Sequence, residues 1–256
     1  MTNGVVAITG AARGIGKALA REAVSRGYDV ALFDRDWPEL ESLRSALGED
    51  RCKISSGDVS SDADLQRFTE IATSFGPPLR IAFANAGILR AGDILDQPIT
   101  EIEQMLAVNV MGAIRTARVL VPHMQHQNVN SIFVFTGSTS MLSVAPGFGG
   151  YAATKHALLA VAEALDAELL QANSPVRAAI LCPAAVQTGI ADGETALLNR
   201  LKRRMETHGI SPAEMAKLAF DGIIDNQSVI FSSEPSKEAA RRRLDVLLSG
   251  FFAGRA

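Results

Sequence analysis

The feature that most limits what this chain can fold into is its alternation of short apolar runs with longer helical patterns. The runs VVAITG (5–10), DVALFD (29–34), CKISSGD (52–58), RIAFANAG (80–87), SIFVFTGS (131–138), VRAAILCP (176–183) and SVIF (228–231) are short and mostly apolar at every position. A strand apolar on both faces has to be covered on both, which is the condition of a parallel sheet between helices. Helical patterns lie between them near 14–26, 38–47, 61–74, 100–125, 151–172, 211–225 and 234–250. Pro38 marks one start, Ser61, Thr100 and Ser211 read as N-caps, and Pro212 fits a first turn. Strict alternation implies right-handed crossovers and a doubly wound sheet.

The expectation is therefore an α/β fold, one domain over 1–256, with about seven strands flanked by helices. Hydrophobic residues make up 47% of the 256, and aromatics only 5%, so small aliphatic side chains must build the core. A net charge of -3 gives no electrostatic reason to expect nucleic acid or an anionic membrane as partner. The start, MTNGVVAITG, lacks the pattern of a signal peptide, and no apolar run approaches the ~18 residues of a membrane span. Cys52 and Cys182 read as buried, reduced thiols of a cytoplasmic protein. His123 and His126 lack a third ligand, so no metal site is expected. Residues 189–209, GIADGETALLNRLKRRMETHG, interrupt the rhythm after the sixth strand, where ligands bind in such sheets. They are expected to form a substrate lid; an ordinary pair of surface helices fits the same pattern.

TGAARGIG (9–16) follows the first strand and opens a helix. Gly10, Gly14 and Gly16, with Ile15 between, let the backbone turn tightly and approach a pyrophosphate at a helix N-terminus. This is the first βα turn of a Rossmann-like sheet, although the spacing G-x-x-x-G-x-G departs from the generic fingerprint. Asp34 ends the second strand, 24 residues beyond Gly10, where a carboxylate accepts hydrogen bonds from ribose hydroxyls and repels a 2′-phosphate. That favours NAD. Arg13 and Arg35 argue for NADP, since a guanidinium binds that phosphate, and NADP is kept as the less favoured cofactor. Asp58 suits the adenine amino group or the cap of the following turn. Asn85, Ala86 and Gly87 permit close approach of a cofactor, or simply a tight turn.

TGAARGIG, NAG, Ser138 with Tyr151-x-x-x-Lys155, and PAAVQT occur in one order along the chain. In this set the sequence resembles the short-chain dehydrogenase/reductase family of about 250 residues, from Val5 to about Phe231. The resemblance implies that the glycine loop and Asp34 hold the cofactor, Asp58 and Val59 its adenine, and Asn85 closes the pocket and steadies the sheet. It implies a catalytic Asn109, a Ser138 placed 13 residues before Tyr151, a Thr188 on the nicotinamide amide, and Pro183 and Val186 flanking it. Where the family has proline-glycine, this chain has Pro183-Ala184, which puts a methyl group near the nicotinamide. It also implies a homodimer or homotetramer packed through the helices at 100–125 and 151–172.

Tyr151 and Lys155, four apart, share one helical face. A tyrosine hydroxyl titrates near ~10, and a neighbouring ammonium favours its phenolate. Tyr151 is then the acid or base for an alcohol or ketone, Ser138 holds the substrate oxygen, Lys155 binds the nicotinamide ribose, and Asn109 holds a relay water. Met141, Leu142, Val144 and Phe148 before the tyrosine, Ala184, and Ile190, Leu197 and Leu198 from the lid suggest an apolar substrate pocket, with core packing as the alternative. Arg90 suits an acidic group at the mouth or plain solvation. The expected function is an oxidoreductase moving a hydride between NAD and a moderately hydrophobic, small-molecule secondary alcohol. An NADPH-dependent ketone or 3-oxoacyl reductase is the second reading. The basic runs 202–204 and 241–243 are taken as solvated helix faces. A catalytically idle dinucleotide-binding regulator is the reading from another class.

Overall fold

The computed structural model describes residues 2–193 and 195–250. Met1, Glu194 and 251–256 lie outside them, so the segment 189–209 is described without Glu194. Strands β1 (Val5–Thr9), β2 (Asp29–Asp34), β3 (Cys52–Ser56), β4 (Leu79–Ala84), β5 (Ser131–Thr136), β6 (Val176–Cys182) and β7 (Val229–Phe231) form one sheet. Its order is β3-β2-β1-β4-β5-β6-β7, and each pairing is parallel. Between them run α1 (Gly14–Ser25), α2 (Trp37–Leu47), α3 (Asp62–Thr73), α4 (Ile99–Met105), α5 (Ala113–His126), α6 (Gly149–Gln171), α7 (Ala196–His208), α8 (Pro212–Ile224) and α9 (Glu234–Ser249). The doubly wound Rossmann-like architecture read from the alternation is the one observed.

Each face of the sheet carries its own core. Val6, Ile8, Leu32, Phe83 and Phe220 pack under α1, α2 and α8, while Ala7, Phe33, Phe68, Phe133 and Phe135 pack under α3, α5 and α6. Successive side chains of a strand point to opposite faces, so strands feeding two cores must be apolar throughout. Strand order reverses between β1 and β4, which opens a crevice at their carboxyl ends.

Local signals hold at two of three expected caps. The Ser61 hydroxyl accepts from Asp64 N at 3.3 Å, and Ser211 accepts from Glu214 N at 3.1 Å beside Pro212. Thr100 is not a cap: α4 starts at Ile99, and Pro98, which has no capping side chain, holds the N-cap position. Asp36 caps α2 ahead of Pro38. A π-helical turn, Leu106–Gly112, joins α4 to α5. The resulting helix, Ile99–His126, is long and apolar enough on average to cross a membrane, although Glu103, Arg115 and Arg118 break it into apolar runs far shorter than ~18 residues. Half of its most apolar window is buried in the protein, as suits a helix that feeds the core from Leu120, Val121 and Met124.

Candidate active site

The carboxyl ends of β1, β4 and β5 are stapled by two side chains. Thr9 Oγ1 accepts from the backbone N–H of Asn85 (3.0 Å) and Ala86 (3.2 Å). Asn85 Nδ2 donates to the carbonyls of Thr9 and Gly10, each at 3.1 Å, and its Oδ1 accepts from Thr136 Oγ1 at 3.3 Å. Thr9 was not singled out in the sequence because a strand-end threonine carries no signal of its own.

The glycine loop beyond β1 is shaped for a phosphate group. Gly14 sits at φ 55°, and a Cβ there would press on the Thr188 methyl at 3.1 Å. The start of α1 has no side-chain cap, so its first N–H groups keep their donors for an anion. Gly16 has a different task. It does not border the crevice; it packs under the loop, where a Cβ would come within 2.0 Å of the Gly10 carbonyl oxygen.

At the far end of the loop, Asp34 Oδ2 accepts from Ala12 N at 3.0 Å and Oδ1 from Asp36 N at 3.1 Å. Both nearby arginines are tied up: Arg13 with Asp36, and Arg35 with Asp58 at 3.5 Å. Asp58 Oδ1 also caps its turn, accepting from Ser60 N (2.8 Å) and Ser60 Oγ (2.7 Å). Partial burial pushes the Asp58 pKa up, but the Ser60 hydrogen bonds and the Arg35 guanidinium outweigh it and hold the carboxyl below its ordinary value.

Tyr151 and Lys155 lie one turn apart on α6, both buried. Lys155 Nζ donates to the Thr136 carbonyl at 2.8 Å and stands 5.6 Å from the centroid of the Tyr151 ring. Burial pushes Lys155 down to about 8. Burial pushes Tyr151 up to about 12, against a lowering hydrogen bond with Ser138. In the protein alone, desolvation of the phenolate outweighs the Ser138 hydrogen bond. Ser138 Oγ in turn accepts from Ser140 N at 3.1 Å.

Asn109 is placed differently from expectation. It is buried and does not border the crevice. Its Oδ1 accepts from Ile88 N at 2.8 Å, and its Nδ2 donates to Ile88 O (2.9 Å) and Thr154 Oγ1 (3.1 Å). The side chain is thus a clamp between the loop after β4 and α6, with both Nδ2 hydrogens in use. It sits within the π turn, a local distortion that recurs at functional sites.

All the other cofactor and catalytic residues named from the sequence border one cleft of about 1360 Å³. Of the residues named for substrate, Ser138, Phe148, Tyr151, Ala184 and Leu197 border it, as do Arg90, Val144 and Ile190. Met141 and Leu142 do not: both point into the core, at 2% and 8% exposure. Leu198 is buried with Leu89, Met105 and Tyr151. The segment after β6 leaves and returns through a closed neck, where Gln187 N donates to Ile210 O at 3.0 Å and Ile210 N to Ala185 O at 3.1 Å. Between these points α7 lays Leu197, Arg200, Leu201 and Arg204 along the cleft.

The sequence profile of the family described as "short chain dehydrogenase" matches residues 4–197. This chain is a short-chain dehydrogenase. As a member of that family it is an oxidoreductase acting on hydroxyl or keto groups and using a nicotinamide dinucleotide. It is 27% identical over 242 residues to the 1-deoxy-11-beta-hydroxypentalenate dehydrogenase of Streptomyces exfoliatus, covering 93% of this chain and 86% of that one. Its structure is similar to a short-chain dehydrogenase/reductase from Burkholderia phymatum in complex with NAD, with a TM-score of 0.93, 28% identity, and coverage of 100% and 98%. It is also similar to an alcohol dehydrogenase from Thermococcus sibiricus complexed with 5-hydroxy-NADP, with a TM-score of 0.77, 25% identity, and coverage of 89% and 95%.

Proposed function

We propose that this short-chain dehydrogenase interconverts a moderately hydrophobic secondary alcohol and its ketone with NAD. One observation carries the reading: the half-buried Ser138 and the buried Tyr151 and Lys155 border the same cleft as Asp34. The residues fit a dinucleotide, with the uncapped start of α1 for its pyrophosphate and Thr188 above Gly14. When bound, the nicotinamide supplies or accepts the hydride, and its oxidised form adds a positive charge that favours the Tyr151 phenolate.

The chain's own residues do the rest. The Ser138 hydroxyl holds the substrate oxygen against the tyrosine. The Tyr151 hydroxyl donates its proton to a ketone oxygen, or takes one from an alcohol. Burial keeps that phenol neutral in the protein alone, so it stands ready as a donor. Lys155, fixed by the Thr136 carbonyl, keeps an ammonium beside it and reaches toward the ribose. Asn109 positions the loop after β4 through Ile88.

NAD is favoured over NADP because Asp34 puts a carboxylate at the ribose end, while Arg13 and Arg35 are each occupied by another carboxylate. A 2′-phosphate would have to break those pairs and approach Asp34. The segment 189–209 acts as the substrate lid, and Phe148, Val144 and Leu197 supply an apolar lining. The relative from Streptomyces is named for a hydroxylated substrate, which agrees with this class. We place the enzyme in the cytoplasm as one domain, a homodimer or homotetramer, with the half-exposed Leu106 and Met111 of the long helix as part of the contact.

Paired titration with NADH and NADPH, followed by nicotinamide fluorescence, tests the cofactor. A stronger complex with NADPH would overturn the preference. Oxidation of secondary alcohols by the wild type and by Tyr151→Phe tests the chemistry, and an equally active variant would sink it.

A further inference from the structure

The positive groups at the cleft do not all have partners. Arg13, Arg35 and Lys155 are held by Asp36, Asp58 and the Thr136 carbonyl. Arg90, Arg200 and Arg204 also border the cleft, are exposed, and form no ion pair with any described residue. Arg90 donates only to the carbonyl of its neighbour Leu89, at 3.0 Å. On the acidic side, Asp192 is paired with Lys202 at 3.0 Å, which leaves Asp93 as the one carboxylate of the substrate end without an ion pair among described residues. Among the described residues, three guanidiniums without an ion pair thus border the cleft with one such carboxylate, in a chain whose net charge is -3.

Their placement on α7 is specific. Arg200 and Arg204 are four apart, so two like charges share one helical face, an arrangement that weakens an isolated helix. No described residue forms an ion pair with either. Lys202 is paired with Asp192. Arg200 stands between Leu197, seated against Gly147 next to Phe148, and Leu201, which packs on the cluster around Tyr151. Arg200 thus borders the cleft from the stretch of α7 whose Leu197 and Leu201 cover the substrate end. A planar donor fork beside an apolar wall suits a ligand with a greasy body and an anionic end.

We propose that this lid reads a carboxylate: the substrate is an apolar secondary alcohol or ketone carrying an acid group, which Arg200 binds, with Arg204 one turn on reinforcing the field. This rests on the dehydrogenase reading given above. The same chemistry has a second source, the cofactor's pyrophosphate, since Met205 beside Arg204 also borders the groove outside Gly14. The experiment has to separate the two.

Decanoate and decanamide, of equal apolar length, are titrated by calorimetry into the enzyme saturated with NADH. The wild type is expected to bind decanoate at least tenfold tighter. Arg200→Gln with Arg204→Gln should erase that preference, leaving decanamide and NADH affinities within about twofold, while the Arg200→Lys, Arg204→Lys pair keeps part of it. Equal binding of the two probes by the wild type, or no binding of decanoate, overturns the proposal. So does a double variant that loses NADH affinity instead, which would assign the arginines to the cofactor. Turnover does not enter these readings. A wild type that prefers decanoate yet oxidises no secondary alcohol would sink the catalytic reading and leave the charge recognition standing.

Discussion

Lys155 Nζ lies 2.8 Å from the carbonyl oxygen of Thr136, at the end of strand β5. That single bond aims a buried ammonium, and burial makes it costly. Its pKa falls from 10.5 to about 8 in the folded chain. Between those values the unfolded chain binds more protons, so stability rises with pH across the window and the penalty is fully present below about 8. Lys155→Met is expected to abolish turnover and yet to stabilise the cofactor-free protein near neutral pH. The shift corresponds to an upper bound of about 3 kcal/mol. The gain should shrink as pH rises from about 8 toward 10.5. Denaturant melts of both proteins across that range check it; a variant less stable than wild type at pH 7 refutes the argument.

Asp34→Ala tests the ribose end. The carboxylate is lost to any ribose hydroxyl, and the Ala12 N–H loses its acceptor at 3.0 Å. Hydrogen bonds to a charged acceptor are worth roughly 1.5–3 kcal/mol, so NADH affinity should fall about 10–100-fold. NADPH affinity should stay level or improve, because the repelling charge is gone while Arg13 and Arg35 remain. Fluorescence titration of both cofactors reads the ratio directly.

Most of the architecture is legible in the sequence, and the misreadings fall at the strand ends. The apolar runs through Gly57-Asp58, Asn85-Gly87 and Gly137-Ser138 look like strand, but the ladders stop at Ser56, Ala84 and Thr136. Those last residues leave the sheet to build the site, and composition alone does not mark where hydrogen bonding ends. Met141 and Leu142 share the same difficulty. Apolar residues next to a catalytic tyrosine suit a pocket or a core equally, and only the turn at Thr139–Met141 decides that they face inward. Thr9 and Thr154 stay hidden because their roles depend on partners 76 and 45 residues away.

Gly16→Ala tests packing beneath the loop. The new Cβ would lie 2.0 Å from the Gly10 carbonyl oxygen, and the obstacle is backbone, so no side-chain rotation relieves it. Either α1 moves off β1 or the loop opens. A loss of about 1–3 kcal/mol is expected, together with weaker binding of both cofactors alike. Gly76→Ala, where a Cβ meets nothing within 4 Å, provides the comparison for a strained turn without a clash. Thermal melts of the two variants should differ clearly, with Gly16→Ala the lower.

Asn109→Ala separates clamping from proton relay. Truncation leaves Ile88 N and Ile88 O without partners they now hold at 2.8 and 2.9 Å, in a part of the structure closed to solvent at Asn109. A buried group left unpaired costs about 1–3 kcal/mol, so a drop of roughly 2–4 kcal/mol in unfolding free energy is expected. The loop carrying Asn85 to Arg90 should loosen, raising KM for cofactor and substrate as well as lowering kcat. Asn109→Asp keeps an acceptor for Ile88 N but loses both donors, and buries a charge. If its function were to pass protons, the aspartate would preserve much of kcat. If it is a clamp, the aspartate should be nearly as damaging as alanine, in stability as in rate. Unfolding midpoints and steady-state kinetics on the same two proteins decide between them.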